Sequence, residues 1–515
     1  MFAAIGIVLH VIPYIYNRSL WIDEAMLASS ILTRNFGELI SYPLDWGQSA
    51  PVGYLYTVKL LTEIVGHEEY VLRMWSLFSF FCCVFLFYFV IRYVFSAKHP
   101  EIFTLSFIFL PFFMRYSNEL KPYMSDNMFV LLSLLLFGLW QKGNLKFSVL
   151  VVSYSVIIWF SFASIFFIAS GMIIAVIEIL FGIRTPSSTA LRAKKLCGCI
   201  VVALSFAVNY RLWLSVSSTH AGGADFFALT RFIFLPSSLE EIITMLKMMK
   251  QILAPLASAD KTFAVTVSVL AIAGLVACLR DKETLPVSAA AAGSVLLMCV
   301  ASSMGFYPII TRLVMFVSVE LLALSAKGFD ILERRGNRPA LSLLIFTLLI
   351  VPFLKTVNDA RPSKVYMQGT EVADNVSYLR DNAAQTDMIY VSGHGTPVFL
   401  YENGYKLWLP LHGRTWGEQG VPFVKDNYIF GQTTMVFDYK KSYSYEGHLN
   451  MKAIDEDVSL IVRYPSVYIF SSHSDKGIPA IIGKLQSYGT VTEVVSQHDN
   501  PLYHFIRRPQ NGDNS

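Results

Sequence analysis

Long apolar runs, separated by short polar connections, set the tightest limit on what this chain can become. They cover residues 1–16, 71–95, 102–114, 127–140, 147–160, 163–182, 196–216, 262–279, 286–303, 312–326 and 340–357. A helix needs about 20 apolar residues to cross the hydrocarbon core of a bilayer, and no open backbone survives there unpaired. The chain is 54% hydrophobic and only 15% charged, with 39 Phe and 26 Tyr, which is far from a soluble composition. The expectation is a multi-pass α-helical membrane protein of about 11 transmembrane helices. Residues 1–16 lack a basic leader and a small-residue cleavage site, so they read as a retained first span.

Basic residues fix the orientation of such a chain, because they stay on the cytoplasmic side of short loops. Arg92 and Lys98, Lys142 and Lys146, Arg184 to Lys195, Arg280 and Lys282, and Lys327 to Arg338 fall in alternate connections. Those connections are read as cytoplasmic, together with the N-terminus. The longer loops 17–70 and 217–261 and the C-terminal region then face outward in the plasma or inner membrane. The net charge of +4 is spread along the chain, and no basic stripe interleaved with aromatics suggests nucleic acid. All six cysteines lie in apolar segments, so neither disulfides nor a zinc site is expected.

The first outer loop carries N-R-S-L-W-I-D-E-A-M-L-A-S-S-I over residues 17–31, with Asp23 and Glu24 adjacent just past the first span. An acidic pair where an apolar span meets water can take a proton from a nucleophile, its pKa tuned by local desolvation. The same two acids equally suit the first turn of an amphipathic surface helix, since Trp21, Ala25, Ala28 and Leu32 repeat at helical spacing. Residues 51–66 form a second amphipathic run, interrupted by Lys59 and Glu63, that suits the membrane interface better than a crossing.

Two later outer connections are also rich in function-bearing residues. Residues 115–126 read R-Y-S-N-E-L-K-P-Y-M-S-D; Pro122 breaks helix continuity, so Glu119, Lys121, Tyr123 and Asp126 can be aimed into a cavity. A solvated turn with internal ion pairs is the alternative. Residues 305–316 read G-F-Y-P-I-I-T-R-L-V-M-F, placing Arg312 at the mouth of a late span, where it either snorkels to the interface or forks onto a phosphate. The loop 217–261, with His220, Gly222, Gly223, Asp225 and Arg231 ahead of a helix near 239–253, suits a lid. His220 has no second ligand at metal-binding spacing.

These motifs together resemble the GT-C membrane glycosyltransferases, in the branch of protein O-mannosyltransferases and lipid A aminoarabinose transferases. The likeness covers residues 1–330 in pattern and rests on Asp23-Glu24, the E-x-K-P-Y segment at Glu119 to Tyr123, and Y-P-x-x-x-R-x-x-x-F ending at Phe316. S-A-P-V-G-Y-L-Y from Ser49 and Leu72-Arg73 add weaker matches. The resemblance implies a catalytic base at Asp23, supported by Glu24. It implies donor or acceptor binding by Glu119, Lys121, Tyr123, Asp126 and Arg312. The reaction implied is transfer of one sugar from a polyprenyl-phosphate donor to a lipid, polysaccharide or protein acceptor outside the cell. No cofactor is expected, although some relatives use a divalent cation.

Beyond residue 354 the composition turns polar. The expected division is a transmembrane domain over 1–357 and an extracytoplasmic α/β domain over 358–515. Helical patterns at 370–381 and 480–487 alternate with strand-like runs at 388–391, 467–470 and 491–495, as a sheet with flanking helices requires. Ser392-Gly393-His394-Gly395 lacks a nucleophile elbow and reads as a strand-end turn. A lipid-linked oligosaccharide polymerase or ligase, a glycolipid transporter or flippase, and a bare membrane anchor are the competing functions. The scarcity of ionisable residues within the spans argues against the transporter.

Overall fold

The computed structural model describes residues 2–182, 189–215, 230–334, 336, 338–361, 372–393, 395–404, 423–431, 435–437, 447–472, 475, 477–496 and 501–509. The chain separates into two compact units. One comprises Met1–Ile15 and Ser49–Arg361, the other Tyr16–Gln48 and Pro362–Ser515. The stretch bearing Asp23 and Glu24 therefore folds with the C-terminal region.

The helices are α1 (Phe2–Ile15), α2 (Ile22–Thr33), α3 (Phe36–Ser41), α4 (Val52–Val65), α5 (Glu69–Phe89), α6 (Pro100–Ile108), α7 (Pro111–Tyr116), α8 (Tyr123–Gln141), α9 (Phe147–Ile157) and α10 (Ser164–Phe181). They continue as α11 (Thr189–Asn209), α12 (Leu239–Ala257), α13 (Lys261–Arg280), α14 (Leu285–Ser303), α15 (Met315–Arg334) and α16 (Arg338–Asp359). The C-terminal region adds α17 (Val372–Asn382), α18 (Thr396–Glu402), α19 (Met451–Ile461) and α20 (Ile478–Leu485). Its strands are β1 (Met388–Val391), β2 (Phe423–Lys425), β3 (Tyr428–Phe430), β4 (Met435–Phe437), β5 (Gly447–Leu449), β6 (Ser466–Phe470), β7 (Gly489–Val495) and β8 (Leu502–Arg507).

In its described residues each apolar run of the sequence is largely helical. Among the described residues α5, α8, α10, α11, α13, α14 and α16 are long and apolar enough to cross a membrane, and α1 and α9 are shorter apolar helices. The run at 102–114 is two helices, because Pro111 has no N–H to continue α6 and instead opens α7. Asp260 caps α13 by accepting the Thr262 N–H at 2.6 Å.

Aromatic packing fills the centre of the first unit: Phe87 lies 4.9 Å from Phe107, which lies 4.6 Å from Phe113. Helices α13 and α15 approach more closely than side chains would allow. A Cβ on Gly274 would collide with the Leu324 carbonyl, and one on Gly328 with the Leu270 carbonyl, so only a paired glycine contact permits this crossing. Several polar groups inside the unit bridge one helix to another. The His10 ring bridges Ser117 Oγ at 3.0 Å and the Ile108 carbonyl at 2.8 Å, and the Glu320 carboxylate accepts from Ser294 Oγ at 2.8 Å. The connection between α5 and α6 is tied by charge to the end of α15. Lys98 and His99 both pair with Glu333, at 3.0 and 2.8 Å.

The second unit contains a six-stranded sheet in the order β2-β3-β1-β6-β8-β7, with β1 parallel to both β3 and β6, and with β4 and β5 paired separately. Strand periodicity divides its faces. Met388, Tyr390, Val467 and Ile469 pack with Ile454, Val458 and Ile481 of α19 and α20. On the opposite face Phe470 meets Phe399 of α18 edge to face, 5.0 Å between centroids, and Tyr468 meets Tyr378 of α17. The result is a helix–sheet–helix sandwich, as the alternating pattern implied. Ser392 ends β1 in a turn, its Oγ accepting from Gly395 N–H at 3.1 Å. His394 lies outside the described residues.

Candidate active site

In the second unit the acid pair opens α2, with Asp23 and Glu24 in its first turn. Leu27, Ala28 and Ile31 are buried along the helix, and α2 packs on α18 of the sandwich. The two acids thus open a helix, as their spacing against the apolar positions implied. The two acids differ sharply in setting. Glu24 is fully buried; its carboxylate accepts from Arg18 Nη1 at 2.7 Å and from the Trp21 backbone N–H at 3.2 Å. Asp23 is only partly buried. The far end of α2 is pinned by Asp45, which pairs with Arg34 and accepts from Ser30 Oγ at 3.1 Å. Arg34 also donates to the Pro43 carbonyl at 2.8 Å, so the loop returning from α2 is closed by buried charge.

In the first unit the segment 115–126 is packed rather than solvated. Glu119 is buried and accepts from Arg115 Nε at 2.8 Å. The backbone carbonyls of Glu119 and Lys121 both accept from Ser76 Oγ on α5, at 2.7 and 3.2 Å, which sets the turn ahead of Pro122. The structure brings Arg312 to this segment: its guanidinium lies 5.9 Å from the centre of the Tyr123 ring. Tyr123 meets Tyr116 edge to face at 5.3 Å, and Arg115 lies 5.6 Å over the Tyr116 ring. Arg115, Tyr116, Tyr123 and Arg312 therefore form one line, two rings between two cations, with Glu119 balancing one end. Burial pushes the Tyr307 hydroxyl well above the usual phenol range, with Asp126 and Tyr123 adding to it, so Tyr307 stays a neutral donor, bonded to the Leu313 carbonyl at 2.8 Å.

Asp126 and Lys121 are buried in the same unit but differ from that line. The Asp126 carboxylate accepts from Ser161 Oγ at 2.5 Å, tying α8 to the turn before α10. Lys121 is 4% exposed. Arg73 is 2% exposed and lies inside the unit, where a lipid-facing anchor of the helix end would not be. The sequence reading passed over Arg18, Arg115 and Tyr116 as functional groups; the signal available for each was its place within an already suspicious motif. It also passed over His10 and Glu320, which look like isolated interruptions of apolar helices. His220, Gly222, Gly223 and Asp225 lie outside the described residues, while the helix expected after them is α12. Among the described residues no three His, Cys, Asp or Glu side chains converge to hold a metal.

No protein-family model matches the sequence, and no curated protein does. Solved structures do. ArnT from Cupriavidus metallidurans, a GT-C lipid A aminoarabinose transferase, matches in its apo state over 99% of this chain and 98% of its own, with a TM-score of 0.55 and 12% identity. The same protein bound to undecaprenyl phosphate matches over the same shares, with a TM-score of 0.56 and 11% identity. This chain has the GT-C fold. The likeness runs through both units of the GT-C chain, including the C-terminal sandwich as well as the apolar helices. At this identity it is a likeness of fold.

Proposed function

We propose that this GT-C chain moves a single sugar from a polyprenyl-phosphate-linked donor to an acceptor on the extracytoplasmic side of the membrane. The observation that supports it most is the pairing of a full-length GT-C fold with a line of two arginines and two tyrosines built on residues 115–123 and 312. Guanidinium groups fork onto phosphate oxygens, and fixed positive charge favours the transition state in which a phosphate departs. In this reading Asp23 accepts the proton of the acceptor hydroxyl or amine as that atom bonds to the sugar anomeric carbon. The bond from that carbon to the phosphate oxygen breaks, and polyprenyl phosphate leaves with both electrons. Arg312 and Lys121 balance its charge, so no acid need protonate it. Glu24, occupied by Arg18 and the Trp21 N–H, positions Asp23, and Asp126 braces α8. The feature a transporter would use, the carboxylate of Glu320 inside a helix, is bonded to Ser294.

The deciding experiment is Asp23→Asn in the purified full chain, supplied with a polyprenyl-phosphate sugar and membrane extract as acceptor. Transfer should fall by a factor on the order of 100 while donor binding persists. Release of polyprenyl phosphate at the unmodified rate would remove Asp23 from catalysis. A product carrying several sugars would replace transfer of one sugar by polymerisation or ligation.

A further inference from the structure

The second unit holds a cavity that the proposed chemistry does not use. It measures about 230 Å³ and lies where the last turns of α17 and the end of α18 meet the leading ends of β1 and β3. That is smaller than the roughly 300–1,000 Å³ of a site for a drug-sized ligand. The room suits one small ring.

Four polar side chains line it: Arg380 from α17, Asp387 just ahead of β1, Asn403 just past α18 and Asn427 just ahead of β3. Three of them are fixed through one atom and keep capacity on another. Asp387 Oδ2 accepts from the Ala384 N–H at 2.8 Å, Asn403 Nδ2 donates to the Phe399 carbonyl at 2.9 Å, and Asn427 Nδ2 donates to the Gln385 carbonyl at 2.6 Å. Asp387 Oδ1 and the two amide oxygens remain as acceptors, and the exposed Arg380 guanidinium supplies a fork of N–H donors. The rest of the wall is largely apolar, with Leu379, Ile389 and Phe399 beside the partly buried Tyr428 ring, whose centre lies 5.6 Å from that of Phe399. Such a lining disfavours simple ions, because an anion drawn to Arg380 would meet Asp387 and a cation drawn to Asp387 would meet Arg380. A ring bearing several hydroxyls suits it better. Each hydroxyl can give a proton to a fixed oxygen or take one from the guanidinium, and the C–H face of the ring matches the aromatic and aliphatic wall.

We propose that this cavity is a saccharide-binding site that takes one neutral sugar ring, with hydroxyls at Arg380, Asp387, Asn403 and Asn427 and a C–H face against Tyr428. A sugar held here lies against α18, the helix on which α2 rests. The site is independent of the transfer reaction and stands whether or not Asp23 is its base.

The test uses the full chain in lipid nanodiscs free of glycosidic detergent, and saturation-transfer NMR with the methyl glycosides of glucose, galactose, mannose, xylose and N-acetylglucosamine. At least one should bind with a Kd on the order of 1 mM, and binding should be indifferent to salt because the ring carries no charge. Neither sorbitol, an open-chain polyol, nor inorganic phosphate should displace it. Failure of all the glycosides to bind, or displacement by sorbitol or phosphate, overturns the proposal. Arg380→Gln/Asp387→Asn should weaken binding about tenfold. Its unfolding temperature should stay unchanged, since Arg380 is exposed and asparagine replaces aspartate at equal size. Arg463→Gln, exposed and outside the lining, should leave binding as it is. Binding that survives the double variant, or that weakens steeply with salt in the unmodified protein, overturns the assignment of a neutral sugar to this cavity.

Discussion

Arg18 donates to the Glu24 carboxylate across 2.7 Å, and the pair is almost wholly out of water, with side-chain exposures of 10% and 0%. Removing one partner of such a pair strands a buried charge, whereas removing both does not. Arg18→Met is therefore expected to destabilise the chain by about 3 kcal/mol. The double variant Arg18→Met/Glu24→Gln should recover most of that loss. Thermal unfolding of the three proteins checks this. Additive losses would mean that the two side chains do not act as a pair.

Arg312 reaches the Tyr123 ring with a flat, delocalised cation, which lysine cannot imitate. Arg312→Ala should weaken binding of the polyprenyl-phosphate donor, and Arg312→Lys should weaken it less but measurably, since charge survives while the fork and the ring contact do not. Titration of donor analogue against both variants decides the matter. Unchanged affinity in both would take Arg312 out of the site.

The glycine crossing of α13 and α15 gives a purely structural prediction. Gly274→Ala and Gly328→Ala each drive a methyl group into backbone carbonyl, and backbone cannot rotate aside as a side chain can. Each should cost roughly 2 kcal/mol or more. Gly483→Ala, which meets nothing within 4 Å inside α20, should be neutral or slightly stabilising. Resistance to thermal unfolding in detergent is the measurement. A crossing that tolerated either alanine would have to be looser than the one described.

His504 supplies a pH dependence confined to the sandwich. Its ring stacks on Tyr468 at 4.1 Å and its Nε2 meets Ser466 Oγ at 2.8 Å. Burial holds its pKa below the ordinary 6.5, with Asp387 opposing. A histidine whose pKa is lowered by folding binds its proton more readily when unfolded. Its stabilisation is complete above pH 6.5 and drains away as the pH falls below that value. His504→Phe should flatten this acid-side decline in unfolding temperature. The same slope in both proteins would assign it to other groups.

Much of this arrangement is legible before any coordinates, because lipid punishes unpaired backbone and so forces apolar runs into helices. The strand at 388–391 and the helices at 370–381 and 480–487 emerge for a similar reason, since period-2 and period-3.6 patterns report which face is buried. Partnerships across the chain leave no such imprint. Nothing in residues 17–31 says that α2 will rest on α18, or which of Asp23 and Glu24 an arginine will claim. Glu320 and Asp126 were equally hard to interpret, since a carboxylate in an apolar helix reads alike whether a serine awaits it or a ligand does. The arginine–tyrosine line was half visible: both of its arginines lay in quoted motifs, but their approach to one another depends on helix packing that periodicity does not encode.

The seating of α2 on α18 bears on biosynthesis. Asp23 leaves the ribosome long before Thr396, where the helix that steadies α2 begins. At ordinary elongation rates the wait is on the order of tens of seconds. Throughout that interval the nascent chain already has apolar helices to insert, while its acidic motif has no finished support. A message cut short before the sandwich is encoded would thus yield a chain whose α2 has no α18 to rest on.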